Sequence, residues 1–364
     1  MTVITYKCPN CGGRVEFESS IQKLKCPYCD STFDVQALQS LDQVLNSPAP
    51  PANQPADWQM GNQQWSPEEQ ANMNVYACQT CGGEIITDAT LAATSCPYCG
   101  NPVVFSEKFS GKLKPDRIIP FQLDKAAAKA ALLAHYAGKP LLPKNFKDDN
   151  FIDEIKGVYV PYWLFDATCA ADGLYECSNS ALIPGPEADT LITTFYSVAR
   201  SGTLNFRDVP VDAAAKLADD LTESLEPFDF QALAPFQTAY LAGYFANMYD
   251  VESTTAIQRA EQRMQSTATQ ELNDSVQGYQ TVSTKRLSIQ YQNPLCSYAL
   301  LPIWLLSTTY NKQVYTFAMN GQTGRLVGNL PVDKGRFWRY FFGIGCGVML
   351  VVALIALLII WFTA

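Results

Sequence analysis

The sequence predicts a multidomain α+β protein in which two small cysteine-rich β ribbons precede a β-rich α+β domain and one apolar helix. Eight of its twelve cysteines fall into two sets with the same spacing, which is typical of metal-stabilised ribbons. Strand-like and helix-like patterns follow from residue 118 onward. Residues 340–364 contain no charged side chain. Because a chain of 364 residues exceeds one ordinary core, several folded units are expected.

Composition and charge narrow the classes of function. The chain is 48% hydrophobic and 17% charged, as expected of a protein that folds. Its formal net charge is −9, and two four-thiolate metal sites would make it more negative. Because attraction to phosphates supplies most nucleic-acid affinity, general binding of nucleic acid is disfavoured. Residues 1–10 contain no apolar core of the length that a signal peptide needs, so export by that route is not expected.

An internal repeat opens the chain, with a constant offset of 70 residues from Cys8 to Cys78. In each copy, two pairs of the form C-x2-C are separated by fourteen residues. The two copies are therefore expected to fold alike. The shared residues are Tyr6, Cys8, Cys11, Gly12, Gly13, Cys26, Pro27, Tyr28 and Cys29, which recur as Tyr76, Cys78, Cys81, Gly82, Gly83, Cys96, Pro97, Tyr98 and Cys99.

This spacing predicts two structural zinc sites. Two residues between cysteines let both thiolates of a turn reach one ion, and the glycine that follows permits the tight backbone. Two such turns complete a closed tetrahedral shell, whereas a catalytic zinc keeps a position open for water. A redox disulfide pair and a rubredoxin-like iron site are the alternatives. The expected ligands are Cys8, Cys11, Cys26 and Cys29 for one ion, and Cys78, Cys81, Cys96 and Cys99 for the other.

Composition also sets the expected boundaries. The first zinc ribbon, called the first ribbon below, covers residues 1–34, and the second ribbon covers residues 76–107. Residues 35–75 begin with a short helix over Val35–Leu45 and become rich in Pro, Gln, Asn and Ala, which is typical of a flexible linker. An α+β domain is expected over residues 118–333 and a transmembrane helix over residues 340–362.

Local patterns predict the elements of the α+β domain. Asp124 caps a helix that runs to Ala137. A strand over residues 158–169 turns back at residues 171–173, and four further strands follow residue 286. Helices are expected over residues 212–225 and 236–272, the second interrupted near residue 250. Residues 160–165 (VPYWLF) resemble residues 301–306 (LPIWLL); duplication and chance recurrence of strand-opening Pro and buried Trp both explain this similarity.

The uncharged tail predicts a single membrane span. A helix of about 23 residues rises roughly 34 Å, which exceeds a hydrocarbon core of about 30 Å. Lys334, Arg336 and Arg339 precede the tail and no basic residue follows it, so the body of the chain is expected in the cytoplasm and the helix in the cytoplasmic membrane. Gly343 and Gly347 have the spacing of a close helix contact, but glycine is also simply tolerated in membrane helices.

No enzyme is predicted. The sequence contains no Walker-type, dinucleotide-binding or nucleophile-elbow motif, and no small-molecule substrate is evident. His135 lies near the end of the Ala-rich helix, where contacts with local carbonyls explain it. A site assembled from distant parts of residues 118–333 is the enzymatic alternative. Cys169, Cys177, Cys296 and Cys346 lack metal spacing and are expected to be free thiols, the first two facing each other across the predicted hairpin.

The cysteine turns carry a resemblance to known families. Residues 8–13 (CPNCGG) and 26–29 (CPYC) resemble the transcription-factor-IIB-type zinc ribbon. The whole order of parts, including the 160–164 type of strand, resembles bacterial membrane-anchored zinc-ribbon proteins of the kind encoded beside phage-shock-type and SPFH (flotillin-like) membrane proteins. That resemblance implies a membrane adaptor that recruits such proteins to the bilayer, as in a membrane-stress response.

The residues themselves also favour a recruiter over a catalyst. Ribbons on a linker, a domain without a catalytic motif and a membrane anchor would concentrate a protein partner at the bilayer. The candidate contact residues are Tyr28, Tyr98, Val15 and Ile85, although packing around the metal explains each equally well. The alternative function is a membrane-tethered nucleic-acid-binding protein, whose basic run would be Lys108, Lys112, Lys114 and Arg117; the same run would also meet anionic lipid.

Overall fold

The computed structural model of the chain describes residues 7–38, 56–61, 63–88, 93, 95–106, 113–143, 154–185, 189–310 and 313–363. The chain forms two compact units, and each combines separate stretches of sequence. Unit 1 contains Met1–Asp57, Ala167–Phe206 and Glu261–Pro294, and unit 2 contains Trp58–Asp166, Arg207–Ala260 and Leu295–Ala364.

The predicted mixed α+β class with a β-rich sheet is confirmed. The strands are β1 (Glu16–Glu18), β2 (Lys23–Lys25), β3 (Thr32–Phe33), β4 (Gln59–Met60), β5 (Met73–Ala77), β6 (Glu84–Asp88), β7 (Val104–Ser106), β8 (Arg117–Ile118), β9 (Lys156–Ile183), β10 (Thr190–Asp212), β11 (Ala234–Pro235), β12 (Phe245–Asn247), β13 (Thr281–Tyr310), β14 (Gln313–Asn320) and β15 (Leu326–Gly328). The α-helices with defined bounds are α1 (Pro67–Ala71), α2 (Lys125–Tyr136), α3 (Asp219–Ser224), α4 (Ser253–Asp274) and α5 (Lys334–Thr363).

The first ribbon has its own small sheet in unit 1. Strands β1, β2 and β3 are antiparallel, and Leu24 lies opposite both Phe17 and Phe33. Leu24 is buried between two lysines that are not, which is the alternation expected of a strand with one covered face. It packs with Val15, Leu38 and the buried cysteines of the ribbon. Such a small core supplies little stability, so the ribbon depends on another source of cohesion.

The rest of unit 1 is a sheet covered by α4. Alternate residues of β9, among them Cys169, Ala171 and Tyr175, point to one face of the sheet. Ala268 and Leu272, one helical turn apart on α4, pack against them. Every second residue of the strand and roughly every fourth residue of the helix therefore face each other and form one buried apolar cluster.

Unit 2 is built on a large sheet with apolar residues on both faces. The strand order is β11-β8-β13-β9-β12-β6-β5-β7, with β14 beside β13 and β15 beside β14. One face buries alternate residues of β9 and β13, such as Leu164 and Ile303. The other face buries Trp304 of β13 with Leu132 and Tyr136 of α2. The predicted cap of this helix is confirmed, since the Asp124 carboxylate accepts the amide of Ala127 at 2.8 Å.

The two similar segments predicted to open strands lie on neighbouring strands of this sheet, because β9 and β13 pair. Trp163 donates from its indole nitrogen to the backbone oxygen of Val251 at 2.9 Å, and Trp304 donates to that of Leu123 at 3.0 Å. Both indoles are thus buried with their polar group satisfied, which large aromatic residues require.

The second ribbon is joined to the sheet of unit 2, which differs from the predicted boundary between residues 76–107 and 118–333. Its strand β6 is antiparallel to β12, with Ile85 opposite Asn247. Ile85, Cys78, Cys96 and Tyr98 all belong to the apolar cluster beneath the sheet. Pairing between strands about 160 residues apart leaves no local signal in the sequence, so the ribbon spacing alone indicated an independent module.

The linker predicted over residues 35–75 is folded in its second half. Trp58 is buried and meets Phe165 edge to face at 5.0 Å between ring centroids, and Trp65 meets Phe236 at 5.6 Å. Strand β4 pairs with β13, and Ser66 forms a capping box at the start of α1. Of the predicted helix over Val35–Leu45, residues 35–38 are helical, and the remainder lies outside the described residues, as do residues 46–55.

The strands of the α+β domain are longer than predicted. No turn interrupts β9 at residues 171–173, because Asp172 and Gly173 continue the strand. Cys169 and Cys177 therefore lie on the same strand and do not face each other across a hairpin. The helix predicted over residues 236–272 begins only at Ser253, and that over residues 212–225 is reduced to α3.

The predicted apolar C-terminal helix is present, and α5 begins at Lys334, six residues before the predicted start at residue 340. The candidate span within α5 is Lys334–Leu357; its most apolar 18-residue window has a mean hydropathy of 2.5, and none of that window is buried in the body of the protein. Among the described residues, it is the one helix long and apolar enough to cross a membrane.

Candidate metal centres

Each predicted set of four cysteines converges on one point. In the first ribbon, the Sγ atoms of Cys8 and Cys29 lie 3.5 Å apart, and those of Cys11 and Cys26 lie 3.4 Å apart. In each set, all four sulfur atoms lie within 4.8 Å of one another. A tetrahedral ion with metal–sulfur bonds of about 2.3 Å has sulfur atoms about 3.8 Å apart. Each set can therefore hold one metal ion.

The second ribbon reproduces the arrangement. The sulfur atoms of Cys78 and Cys99 lie 3.6 Å apart, and those of Cys81 and Cys96 lie 3.7 Å apart. Four thiols without a competing nitrogen or oxygen ligand are a donor set that suits zinc. Four sulfur donors also complete the tetrahedral shell, so no position is left open for a substrate.

Backbone turns place the cysteines. In the first turn of the first ribbon, the amide of Gly12 donates to the backbone oxygen of Cys8 at 2.8 Å. Gly12 has φ of +75°, a conformation that residues with a side chain rarely adopt. The pKa of Cys8 is raised, chiefly by burial, and the amides of Cys11 and Asn10, which donate to its sulfur, partly offset that increase. These amides stabilise the thiolate that a metal requires.

The two sites differ in their surroundings. In the first ribbon, Cys11 and Cys29 are exposed, whereas the equivalent residues of the second ribbon are partly covered. The difference is greatest at the tyrosine between the second pair of cysteines: Tyr28 is 75% exposed, and Tyr98 is 6% exposed. One site therefore lies at the surface and the other within the core of unit 2.

Two residues from the central strands of unit 2 hold the second ribbon. Lys156 of β9 donates from Nζ to the backbone oxygen of Ser95 at 2.9 Å and also contacts its hydroxyl. Ser307 of β13 donates from Oγ to the backbone oxygen of Pro97 at 3.1 Å. Both acceptors flank Cys96. Single Lys and Ser residues far from the cysteines carry no motif, so these two contacts could not be predicted from the sequence.

Lys156 also places a positive charge beside the second site. Burial lowers the pKa of Lys156, and the nearby charge of Cys96 raises it. A metal held by four thiolates has a net charge of about −2, which the partly buried ammonium of Lys156 partly offsets. The first site has no equivalent of Lys156 among the hydrogen bonds of its described residues.

The four candidate contact residues differ in their exposure to solvent. Tyr28 is exposed, whereas Val15, Ile85 and Tyr98 are buried and pack around the cysteines. The first ribbon also exposes two apolar residues that the sequence analysis did not single out, Phe17 and Ile21. The exposure of Phe17 could not be predicted from the sequence, because an aromatic residue in a strand commonly faces a core.

A cleft borders the first ribbon within unit 1. Its volume is about 730 Å³, and it is lined by Phe195 and Tyr196 of β10 and by Tyr279, which precedes β13. Pro9 and Leu38 contribute from the ribbon side. Phe195 and Tyr196 are largely exposed, so the cleft offers aromatic surface to solvent.

The basic run behind the second ribbon is already engaged where the structure describes it. Lys114 forms an ion pair with Glu69 at 2.7 Å, and Arg117 forms one with Asp208 at 2.7 Å. Lys108 and Lys112 lie outside the described residues. The two described members of the run are therefore poorly placed to bind phosphates.

The remaining residues singled out in the sequence do not converge on a site. Cys169, Cys177 and Cys296 are buried free thiols, and Cys346 is exposed on α5. The ring of His135 lies 2.8 Å from the ammonium of Lys139. Burial lowers the pKa of His135, and the charge of Lys139 lowers it further.

Comparison with known proteins identifies a relative that matches this chain over nearly its full length. No family model and no solved structure matches the chain. The protein named Uncharacterized protein YdjG, from Bacillus subtilis (strain 168), is 31% identical over 356 residues. The match covers 98% of this chain and 98% of YdjG. The chain therefore belongs to the same protein family as YdjG of Bacillus subtilis.

Proposed function

We propose that this protein is a non-enzymatic membrane-anchored adaptor whose first ribbon recruits a protein partner at the cytoplasmic face of the membrane. Both four-cysteine sites hold zinc in this proposal, and both are structural. The first metal site stabilises the ribbon that recruits the partner. The second metal site stabilises the fold of unit 2.

The main observation that supports the proposal is the difference in exposure between Tyr28 and Tyr98. The two residues occupy the same position of the repeat, so each has the same relation to its metal site. If their role were only to pack around the metal, both would be covered. Tyr28 instead presents its ring to solvent at 75% exposure, beside the exposed thiols Cys11 and Cys29. Exposed aromatic residues on a rigid support are typical of protein-binding surfaces.

The metal chemistry supports a structural role over catalysis. Zinc accepts four thiolates in a tetrahedron, and that shell leaves no position for the water that a hydrolytic zinc activates. The four ligands come from two turns of a ribbon that has almost no core of its own, so metal binding supplies folding energy. The ion thus keeps Tyr28 and Phe17 on a rigid surface.

The helix α5 supports membrane attachment. Its apolar part is long enough to cross a bilayer, and basic residues lie at its N-terminal end only. This asymmetry favours a cytoplasmic location for the ribbons and both units. A membrane-attached ribbon raises the local concentration of its partner at the bilayer.

The partner proposed is a membrane-associated protein of the phage-shock or SPFH type. The first ribbon and the adjoining cleft offer aromatic and aliphatic surface, which suits an apolar protein segment. Two thiolate pairs on one zinc add negative charge at the same surface, so a basic residue next to that segment would be favoured.

A capture experiment tests the proposal. The full chain would be isolated in mild detergent from its native membrane, with the bound proteins and nucleic acids identified. Tyr28→Ser removes the exposed ring without touching a ligand, and Phe105→Ser removes a ring that is 57% exposed on β7 of the second ribbon. We expect a membrane-protein partner that is lost with Tyr28→Ser and retained with Phe105→Ser, while zinc content stays at two ions per chain.

Two results would overturn the proposal. If Tyr28→Ser and wild type retain the same proteins, the first ribbon is not the recruiting surface. If nuclease-sensitive nucleic acid is captured in place of a protein and depends on the first ribbon, the chain is a membrane-tethered nucleic-acid reader.

A further inference from the structure

The start of α5 is fastened to the folded body of unit 2. The Arg336 guanidinium donates from Nη1 to the backbone oxygen of Pro140 at 3.2 Å and to that of Leu142 at 2.9 Å. The amide of Asp333 donates to the backbone oxygen of Leu141 at 2.9 Å. Leu142 is buried in the cluster that also contains Tyr136. The turn formed by residues 139–142 is therefore held against the first residues of the apolar helix.

The geometry of α5 sets the depth of this turn. The uncharged stretch begins at Tyr340, and Arg336 lies four residues before it. At about 1.5 Å per residue, Arg336 lies roughly 6 Å outside the hydrocarbon core, and a tilted helix brings it nearer. The polar layer of a bilayer is about 5–8 Å thick on each side. Asp333, which also contacts the turn, lies seven residues before Tyr340 and so roughly 10 Å outside the core. If α5 spans the bilayer, as the proposed function requires, the turn lies at the outer edge of the headgroup layer, where its lysine side chain can reach the phosphates.

The turn and the start of α5 carry a net positive charge, whereas the whole chain is negative. Residues 139–142 and 332–339 contain one acidic residue, Asp333, which accepts the amides of Gly335 and Arg336 at 2.9 and 3.0 Å. Its carboxylate is thus used in capping α5. The basic residues of the same segments are Lys139, Lys334, Arg336 and Arg339, in a chain with a net charge of −9.

Lys139 is held in place by its neighbour on α2. Its ammonium lies 2.8 Å from Nε2 of His135, and because an ammonium has only donors, the ring nitrogen accepts. That bond uses one of the three donors of Lys139, so two others are available to a phosphate. The side chain is therefore ordered at the beginning of the turn that Arg336 binds.

We propose that Lys139 and the turn that follows it form, together with Lys334 and Arg339, a binding surface for the anionic phospholipid headgroups of the bilayer. The turn is a second membrane contact, separated from the helix by 194 residues between Leu142 and Arg336. Basic residues beside a membrane helix attract anionic lipid. Exposed Phe337 and Trp338 lie at the same level, as expected of side chains at a membrane interface. Unit 2 therefore rests on the bilayer.

Lipid cross-linking in the full chain tests this proposal. A photoreactive side chain would replace Ala137, which is exposed and precedes Lys139 by two residues, or Val348, which is exposed within the apolar helix. Each protein would be placed in nanodiscs of phosphatidylcholine alone or of phosphatidylcholine and phosphatidylglycerol in equal parts. We expect lipid adducts at both positions, with phosphatidylglycerol strongly preferred over phosphatidylcholine at position 137.

Variants of the two lysines test whether their positive charge causes the preference for phosphatidylglycerol. In the mixed nanodiscs, Lys139→Gln and Lys334→Gln are each expected to lower the phosphatidylglycerol adduct at position 137 by about fivefold. The matched variants Lys139→Arg and Lys334→Arg should leave it unchanged, and retention of both metal ions would show that the variants are folded.

The possible failures are distinguishable. Adducts at position 348 without adducts at position 137, or adducts at position 137 that ignore lipid charge and both Gln variants, would overturn the headgroup surface and leave the anchor intact. The absence of lipid adducts at both positions would overturn the surface together with the membrane anchor on which it rests.

Discussion

Lys156 of the central strand β9 donates from Nζ to the backbone oxygen of Ser95 at 2.9 Å, one residue before the candidate metal ligand Cys96. The contact joins the second metal site to the main sheet of unit 2. Cys78 and Cys96 themselves belong to the apolar cluster under that sheet. Among the described residues, the buried cysteines of the first metal site pack in a small cluster with Val15, Leu24 and Leu38. Two sites with the same ligands therefore differ in how much of the fold depends on them.

Loss of either site should separate these roles. Replacing Cys78 and Cys81 with Ser is expected to destabilise unit 2 by more than about 3 kcal/mol, because the metal and a part of the core are lost together. Replacing Cys8 and Cys11 with Ser should unfold only the first ribbon and leave membrane insertion intact. Hydrogen exchange at residues 158–164 of β9 measures the effect of each replacement on unit 2, and membrane flotation of the same variants measures insertion.

Two results would contradict this division of roles between the metal sites. Equal loss of protection in β9 from both cysteine pairs, or loss of membrane association from the Cys8→Ser/Cys11→Ser variant, would show that the two ribbons are not structurally distinct.

Lys156 should strengthen metal binding at the second site only. Lys156→Met removes the hydrogen bond to Ser95 and the positive charge beside Cys96, so the affinity of that site for zinc is expected to fall about tenfold. Chelator competition in a Cys8→Ser/Cys11→Ser background isolates the second site. Lys285→Met is the matched control, because Lys285 forms a mostly exposed ion pair with Glu176 at 3.1 Å. An equal fall in both variants would rule out a specific role for Lys156.

A pair of glycines separates the positioning of Tyr28 from metal binding. A Cβ atom on Gly13 would lie 2.6 Å from the ring of Tyr28, whereas one on Gly83 would lie 3.6 Å from the ring of Tyr98. Because the ring of Tyr28 is exposed, Gly13→Ala should move it with a small cost in stability, below about 1 kcal/mol. Partner capture should fall for Gly13→Ala, remain for Gly83→Ala, and zinc content should be unchanged in both. Capture that is unaffected by Gly13→Ala would show that the orientation of Tyr28 is irrelevant.

Arg336 should fix the anchor to unit 2. Arg336→Gln removes charged hydrogen bonds to Pro140 and Leu142, each of which is typically stabilising by about 1.5–3 kcal/mol, less at a partly exposed site. Amides of residues 139–142 are expected to exchange roughly tenfold faster while α5 stays inserted. Arg339→Gln is the control, since the Arg339 side chain contacts only the backbone oxygen of Gly335, at 3.4 Å, among the described hydrogen bonds. Identical exchange in the two variants would contradict the role assigned to Arg336.

The sequence predicted the parts of this protein that depend on local spacing. The two cysteine sets converge as expected. In the first ribbon, the turns at residues 8–11 and 26–29 are each followed by a residue with positive φ, Gly12 at +75° and Asp30 at +56°. Asp124 caps its helix, and the uncharged tail is one helix. Each of these features is encoded within a few residues.

The parts that depend on distant partners were not predicted. Asp172 and Gly173 read as a turn, but pairing with β10 and β13 keeps β9 extended through them. Ile85 read as a residue of an independent ribbon, and only its pairing with Asn247 places it in unit 2. The exposure of Tyr28, the contact from Lys156 and the bonds made by Arg336 likewise depend on tertiary structure, which no local pattern records.

Photo-cross-linking at two phenylalanines tests the central claim most directly. Phe17 of the first ribbon and Phe105 of the second ribbon are 53% and 57% exposed, so a photoreactive phenylalanine analogue fits either position. The recruiting role of the first ribbon predicts an adduct with a membrane-associated protein at position 17 and none at position 105. Protein adducts at position 105 alone, or nucleic-acid adducts at position 17, would contradict it.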